Sequence, residues 1–170
     1  MIITARTPAK AEAAKATIES QTSTAGKNII KTMTLDMSTL SSTADFASQL
    51  KSQIKEIDIV LLNTGMLNTA FKLGEEGYEE TIQVNVLSTA LLALLLLPWM
   101  KDAGKGKAHL GFVTSGKHKA VAIDGWPKEG VLQWLSKEEN WPADMYATSK
   151  LLEQYVANEI AKLAVGGDDR

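Results

Sequence analysis

Four short apolar runs, spaced by segments of helical composition, constrain this chain more than any other feature. Residues 1–5, 29–35, 57–62 and 108–114 are rich in branched side chains and too short to be buried helices. Between and after them, helices are expected over about 8–19, 39–55, 78–100 and 144–164. Thr7-Pro8 gives the first helix an N-cap and a first-turn proline. Phe46, Leu50 and Ile54 recur at helical spacing in the second. Leu151, Leu152, Tyr155, Val156, Ile160 and Leu163 give the last one its apolar face, and Gly166 and Gly167 stop it. Strands alternating with helices at this rhythm predict an α/β fold with a doubly wound parallel sheet and flanking helices. Residues 116–142 show no clear period.

With 170 residues the chain can bury one substantial core, and a single domain over 1–170 is expected. A formal net charge of −2 and scattered lysines argue against a polyanionic partner, so no nucleic acid is expected. The absence of cysteine excludes disulfides, thiol catalysis and thiolate metal sites. His109 and His118 are the only histidines, so no histidine-rich metal cluster can form. The most hydrophobic stretch, 84–100, carries Asn85 and reaches Pro98, and it falls short of the ~20 apolar residues of a membrane span. It reads as a buried helix. No charged leader with a cleavage site precedes the first strand, so a cytoplasmic protein without membrane association is expected.

Tyr146 and Lys150 lie one helical turn apart on one face at the start of the last helix, and Ser115 sits upstream at a strand end. A cation near a phenol favours its ionised form, which suits proton exchange with a substrate oxygen. Taken singly, each residue has a plainer reading. Tyr146 is a helix-start tyrosine, Lys150 a solvated lysine, Asn85 a buried amide bonding backbone, and Ser115 a strand terminus.

Six segments in order resemble the short-chain dehydrogenase/reductase family: Thr4-Ala5-Arg6, Leu35-Asp36, Leu62-Asn63-Thr64-Gly65, Val84-Asn85-Val86, Val113-Thr114-Ser115 and Tyr146-Ala147-Thr148-Ser149-Lys150. That resemblance implies a Rossmann-type sheet and an oxidoreductase acting on a carbonyl or alcohol of a small organic substrate. It implies Tyr146 as general acid/base, with Lys150 lowering its pKa and binding the nicotinamide ribose. Ser115 would bond the substrate oxygen, and Asn85 would complete a water-linked relay. It implies cofactor contacts at Arg6, Asp36, Asn63 and Gly65. Arg6, with no acidic residue in its turn, points to NADP(H) rather than NAD(H). Thr64 stands where the family places alanine.

Two departures bear on these expectations. The family's first strand and its Gly-x-x-x-Gly-x-Gly turn, which supplies backbone N–H groups to the pyrophosphate, precede the segment matched here. NADP(H) binding is therefore doubtful on sequence grounds, and the sheet is expected to lack a central strand, leaving two inner edges to be covered. The family's last two strands and substrate cap follow the matched segment. A shortened domain predicts a homodimer through the helices at 78–100 and 144–164. The 116–142 connection holds Trp126, Trp134 and Trp141, with His118 near its start, and is expected to form a substrate lid or pocket wall, or else to cover core. Two other readings remain open: a cofactor-independent isomerase, dehydratase or cyclase using the emptied cleft, and a non-catalytic dimeric remnant.

Overall fold

The expected strand–helix alternation is present, packaged as two crossover units. The computed structural model describes residues 1–165, and the expected stop at Gly166-Gly167 lies outside them. Backbone contacts divide the chain into Met1–Met37 and a larger unit from Ser38 onward.

In the first unit, β1 (Ile2–Ala5) and β2 (Lys31–Thr34) pair in parallel, with Ile2 opposite Lys31 and Ala5 opposite Thr34. The connection is α1 (Pro8–Gln21), which starts as expected: the Thr7 hydroxyl accepts the Lys10 N–H at 3.3 Å, and Pro8 occupies the first turn. Ala11 is its buried residue. The pairing extends beyond the strands, because the Met1 ammonium donates to the Ile29 carbonyl at 2.8 Å.

The second unit begins with α2 (Leu40–Gln53), which buries Phe46, Ala47 and Leu50. Its N-terminus is capped twice: Thr39 accepts from Ser42 N–H, and the Glu76 carboxylate accepts from Leu40 N–H at 2.8 Å. β3 (Ile59–Leu62) then pairs in parallel with β4 (His109–Phe112). The long helix between them departs from the expected uniform 78–100 segment. It opens as α3 (Glu80–Ile82), widens into a π-helical run over Gln83–Ser88, and continues as α4 (Thr89–Ala103) with Pro98 inside it. The Glu79 carboxylate caps it, accepting from Thr81 N–H at 2.7 Å and Ile82 N–H at 3.1 Å. The Thr89 side-chain hydroxyl donates to the Val84 carbonyl at 3.0 Å within this run.

The run Glu80–Ala103 is long and apolar enough to cross a membrane, and 61% of its most apolar stretch is buried in this fold. Beyond β4 come a 3₁₀ turn (Gly116–Ala120), α5 (Val131–Leu135), a second 3₁₀ turn (Glu138–Asn140) and α6 (Met145–Val165). The aperiodic 116–142 segment thus contains short helices whose lengths are below what periodicity can reveal.

Each parallel sheet has two strands among the described residues, so the doubly wound arrangement is incomplete. Parallel strands are normally covered on both faces. β3 is not: Ile59 is 65% exposed and Leu61 61% exposed.

Candidate active site

The first three turns of α6 carry Tyr146, Ser149, Lys150 and Glu153. Asp144 starts the helix, accepting the Ala147 N–H at 2.9 Å. That backbone bond, and after it the Lys117 ammonium at 3.1 Å, holds the Asp144 carboxyl below its ordinary range.

Lys150 is not a solvated lysine. Its side chain is 3% exposed, and its ammonium donates to the Val113 carbonyl at 2.9 Å and to Glu153 Oε2 at 2.7 Å. Glu153 itself is fully buried, and burial pushes its carboxyl above the ordinary range, with Lys150 opposing. The Lys150 Nζ lies 5.8 Å from the centroid of the Tyr146 ring. A second ammonium, from Lys117 in the 116–120 turn, lies 5.9 Å from the same centroid. Two cations therefore lie within 6 Å of the ring centre of one half-buried phenol.

Gly65 closes the arrangement from the turn after β3. A Cβ there would stand 3.4 Å from Lys150 Nζ and 3.5 Å from Asn85 Oδ1. The π-helical run carries Asn85, which is fully buried and satisfied at three points. It accepts the Met66 N–H at 2.8 Å, donates to the Met66 carbonyl at 2.9 Å, and donates to Ser149 Oγ at 2.9 Å. Ser149 in turn donates to the Tyr146 carbonyl at 2.8 Å. Asn85 thus ties the turn after β3 to the first turn of α6.

The other expected residues fall in several places. Ser115 is half-buried and caps the 116–120 turn, its hydroxyl accepting from Lys117 N–H at 3.4 Å. His118 Nδ1–H donates to the Ser115 carbonyl at 2.6 Å. Asn63 is exposed beside Gly65. In the first unit, Arg6 is exposed just past β1 and Asp36 is half-buried past β2. Trp126, Trp134 and Trp141 pack against the cluster of Ile82, Val86, Leu135 and Met145, covering core next to Tyr146. A separate open cavity of about 590 Å³ lies between β4, α4 and the later turns of α6. Leu97, Met100, Phe112 and Ile160 are among its walls, and the tryptophans and His118 are not. Among the described residues, no three or more His, Asp and Glu side chains come together as a metal-binding group.

Sequence reasoning assigned no role to Glu153, Ser149 or Lys117. Glu153 had a visible signal, a carboxylate at i+3 from Lys150 between the apolar positions Leu152 and Val156.

A family model described as short chain dehydrogenase matches residues 1–120. The short-chain dehydrogenase/reductase ffsI of Aspergillus flavipes is 36% identical over 169 residues, covering 96% of this chain and 49% of its own length. A short chain dehydrogenase of Arthrobotrys oligospora is 35% identical, covering 78% of this chain and 43% of its own length. The chain therefore spans about half the length of these relatives. Among solved structures, the menthone neomenthol reductase of Mentha piperita aligns with a TM-score of 0.70 at 15% identity, over 97% of this chain and 77% of its own. A short-chain dehydrogenase from Sphingobium yanoikuyae, solved with NADPH, aligns at 0.64 and 17% identity, over 97% of this chain and 56% of its own. At that identity the structural likeness speaks for the fold, an incomplete Rossmann-type α/β sheet. Sequence match, strand order and coverage together place this chain in the short-chain dehydrogenase/reductase family.

Proposed function

We propose that this chain carries the acid–base half of an NADP(H)-dependent oxidoreductase acting on a carbonyl or alcohol of a small organic substrate. The observation that carries the reading is the buried Lys150 ammonium held 5.8 Å from the Tyr146 ring, beside the bare backbone of Gly65.

The residues fit the nicotinamide-ribose end of such a cofactor. An ammonium has three protons, and the described acceptors, Val113 O and Glu153 Oε2, take two of Lys150's. The third is available to a ribose hydroxyl. The missing Cβ at Gly65 keeps the backbone beside Nζ open to a bound group. When bound, NADP(H) supplies or takes up the hydride. Tyr146 then gives a proton to the forming alkoxide in reduction and accepts one from the alcohol in oxidation. Lys150 favours the charge left on the phenol, Ser115 positions the substrate oxygen, and Asn85 keeps the Gly65 turn and α6 in register. Arg6 selects the 2′-phosphate. The same reading includes a homodimer through α4 and α6, supported by the exposed apolar side chains Leu94, Tyr155 and Leu163.

The test is a titration with NADPH and NADH, followed by tryptophan fluorescence and melting temperature, with sedimentation reporting assembly. Micromolar NADPH binding that weakens in Arg6→Ala, together with loss of carbonyl reduction in Tyr146→Phe, is expected. No response at millimolar cofactor would refute the redox assignment.

A further inference from the structure

The most unusual polar feature outside the expected residues is the carboxylate of Glu153. Its side chain is 0% exposed, it sits 2.7 Å from the Lys150 ammonium, and its other oxygen, Oε1, is buried with no hydrogen-bond partner among the described residues. A buried ion pair stabilises little, because the desolvation of both charges offsets their attraction. An orphaned carboxylate oxygen makes the balance worse. A pair kept for packing alone is better replaced by two apolar side chains of α6. What the pair does accomplish is geometric. Lys150 has a long, flexible stem, and two fixed acceptors, the Val113 carbonyl at 2.9 Å and Glu153 Oε2, hold its charge at one point. That point is next to Gly65 and 5.8 Å from the Tyr146 ring.

We infer that Glu153 is a positioning residue for Lys150: it fixes the ammonium beside Tyr146 and, by its own negative charge, moderates the positive field that the phenol feels. The inference deepens the proposed function, from which it takes Tyr146 as the acid–base group. Its consequence is that Tyr146 works under a balanced set of charges rather than under a bare cation. The balance repeats at a second cation, since the Lys117 ammonium lies 5.9 Å from the ring centroid while paired to Asp144 at 3.1 Å. The remaining charged groups on the elements packed against α6 are few. The 116–120 turn adds His118, bonded to the Ser115 carbonyl, and Lys119. The cap of α3 adds Glu79, bound to Thr81 and Ile82, and α3 itself adds Glu80, paired with Lys72. The π-helical run carries none, and α4 contributes Lys101, which donates to the Leu163 carbonyl, and Asp102, both in its last turn.

The experiment needs neither substrate nor cofactor, so its outcome is separable from that of the NADPH titration. Tyrosinate absorbance is followed against pH in the unmodified chain, in Glu153→Gln and in Glu153→Asp. Each is measured with and without Tyr146→Phe, so that the difference isolates one of the three tyrosines. Glutamine keeps an acceptor oxygen for the ammonium, and the Val113 carbonyl still holds Nζ, so Glu153→Gln removes the charge without releasing the cation, and the Tyr146 phenolate should appear at lower pH by about half a unit to one unit. Shortening the side chain by one methylene lengthens the ion pair and should give a smaller shift of the same sign. If Glu153→Gln does not fold, Glu153→Asp carries the test with that expectation. A residue of purely structural value would lower the melting temperature in both variants and leave the phenol titration in place. That result, or a shift to higher pH, would overturn the inference.

Discussion

Replacing Asn85 by alanine separates a structural clamp from a passive buried amide. The side chain is fully buried and makes three hydrogen bonds of 2.8–2.9 Å, two to the backbone of Met66 and one to Ser149. Truncation removes all three and leaves the Met66 N–H and carbonyl without their partner. At about 1 kcal/mol per bond, with the added penalty of stranded polar groups in a part-buried setting, the loss is roughly 2–4 kcal/mol. For a chain of this size that corresponds to roughly 5–15 °C in melting temperature. Urea unfolding monitored by tryptophan fluorescence gives the free energy, and hydrogen exchange at the Met66 amide gives the location. Protection at Met66 should fall to the level of an open loop while amides in α2 keep theirs. A cost below about 1 kcal/mol, or unchanged protection at Met66, would refute the view that Asn85 ties the turn after β3 to α6.

Two further outcomes follow from the same structure. Gly104 ends α4 where a Cβ would fall 2.2 Å from the Ala108 Cβ and 2.8–2.9 Å from the Met100 carbonyl and the Ala108 nitrogen. Because two of these contacts are backbone and cannot swing away, Gly104→Ala should destabilise by at least about 2 kcal/mol in chemical denaturation, and a neutral result would contradict the packing at that turn. Asp144 is held below its ordinary 3.8 by the Ala147 N–H and Lys117, so its charge adds stability above that pH, and the contribution fades as pH falls through the lowered folded value. Asp144→Asn should therefore be less stable than the unmodified chain near neutrality, and the difference should shrink as pH falls below 3.8, as read by paired melting curves.

The alternation of strands and helices was legible because each element follows a local rule: Thr7-Pro8 starts α1, and Phe46 and Leu50 face the core of α2 at the expected spacing. Tyr146 and Lys150 were paired by helical spacing alone, whereas the approach of Gly65 and Asn85 to them was legible only through family resemblance, since those positions lie far away in sequence. The π-helical run was not legible, because Gln83–Ser88 fits an α-turn equally well by composition and only the backbone bonding of the folded chain distinguishes the two. The tryptophans were ambiguous for a different reason. An indole that walls a pocket and one that covers core have the same composition, and here all three pack against the cluster of Ile82, Val86, Leu135 and Met145. Lys150 looked like a surface residue by type; its burial depends on Glu153, one turn further on.

The bare side chains of Ile59 and Leu61 bear on how this polypeptide behaves in a test tube and in a cell. A two-strand ribbon with an oily flank and an open hydrogen-bonding rim is a template for any extended segment that drifts past, including one from an identical molecule. Solubility should consequently be set by dilution rather than by net charge, and lysine at either position should raise the concentration at which the material clouds.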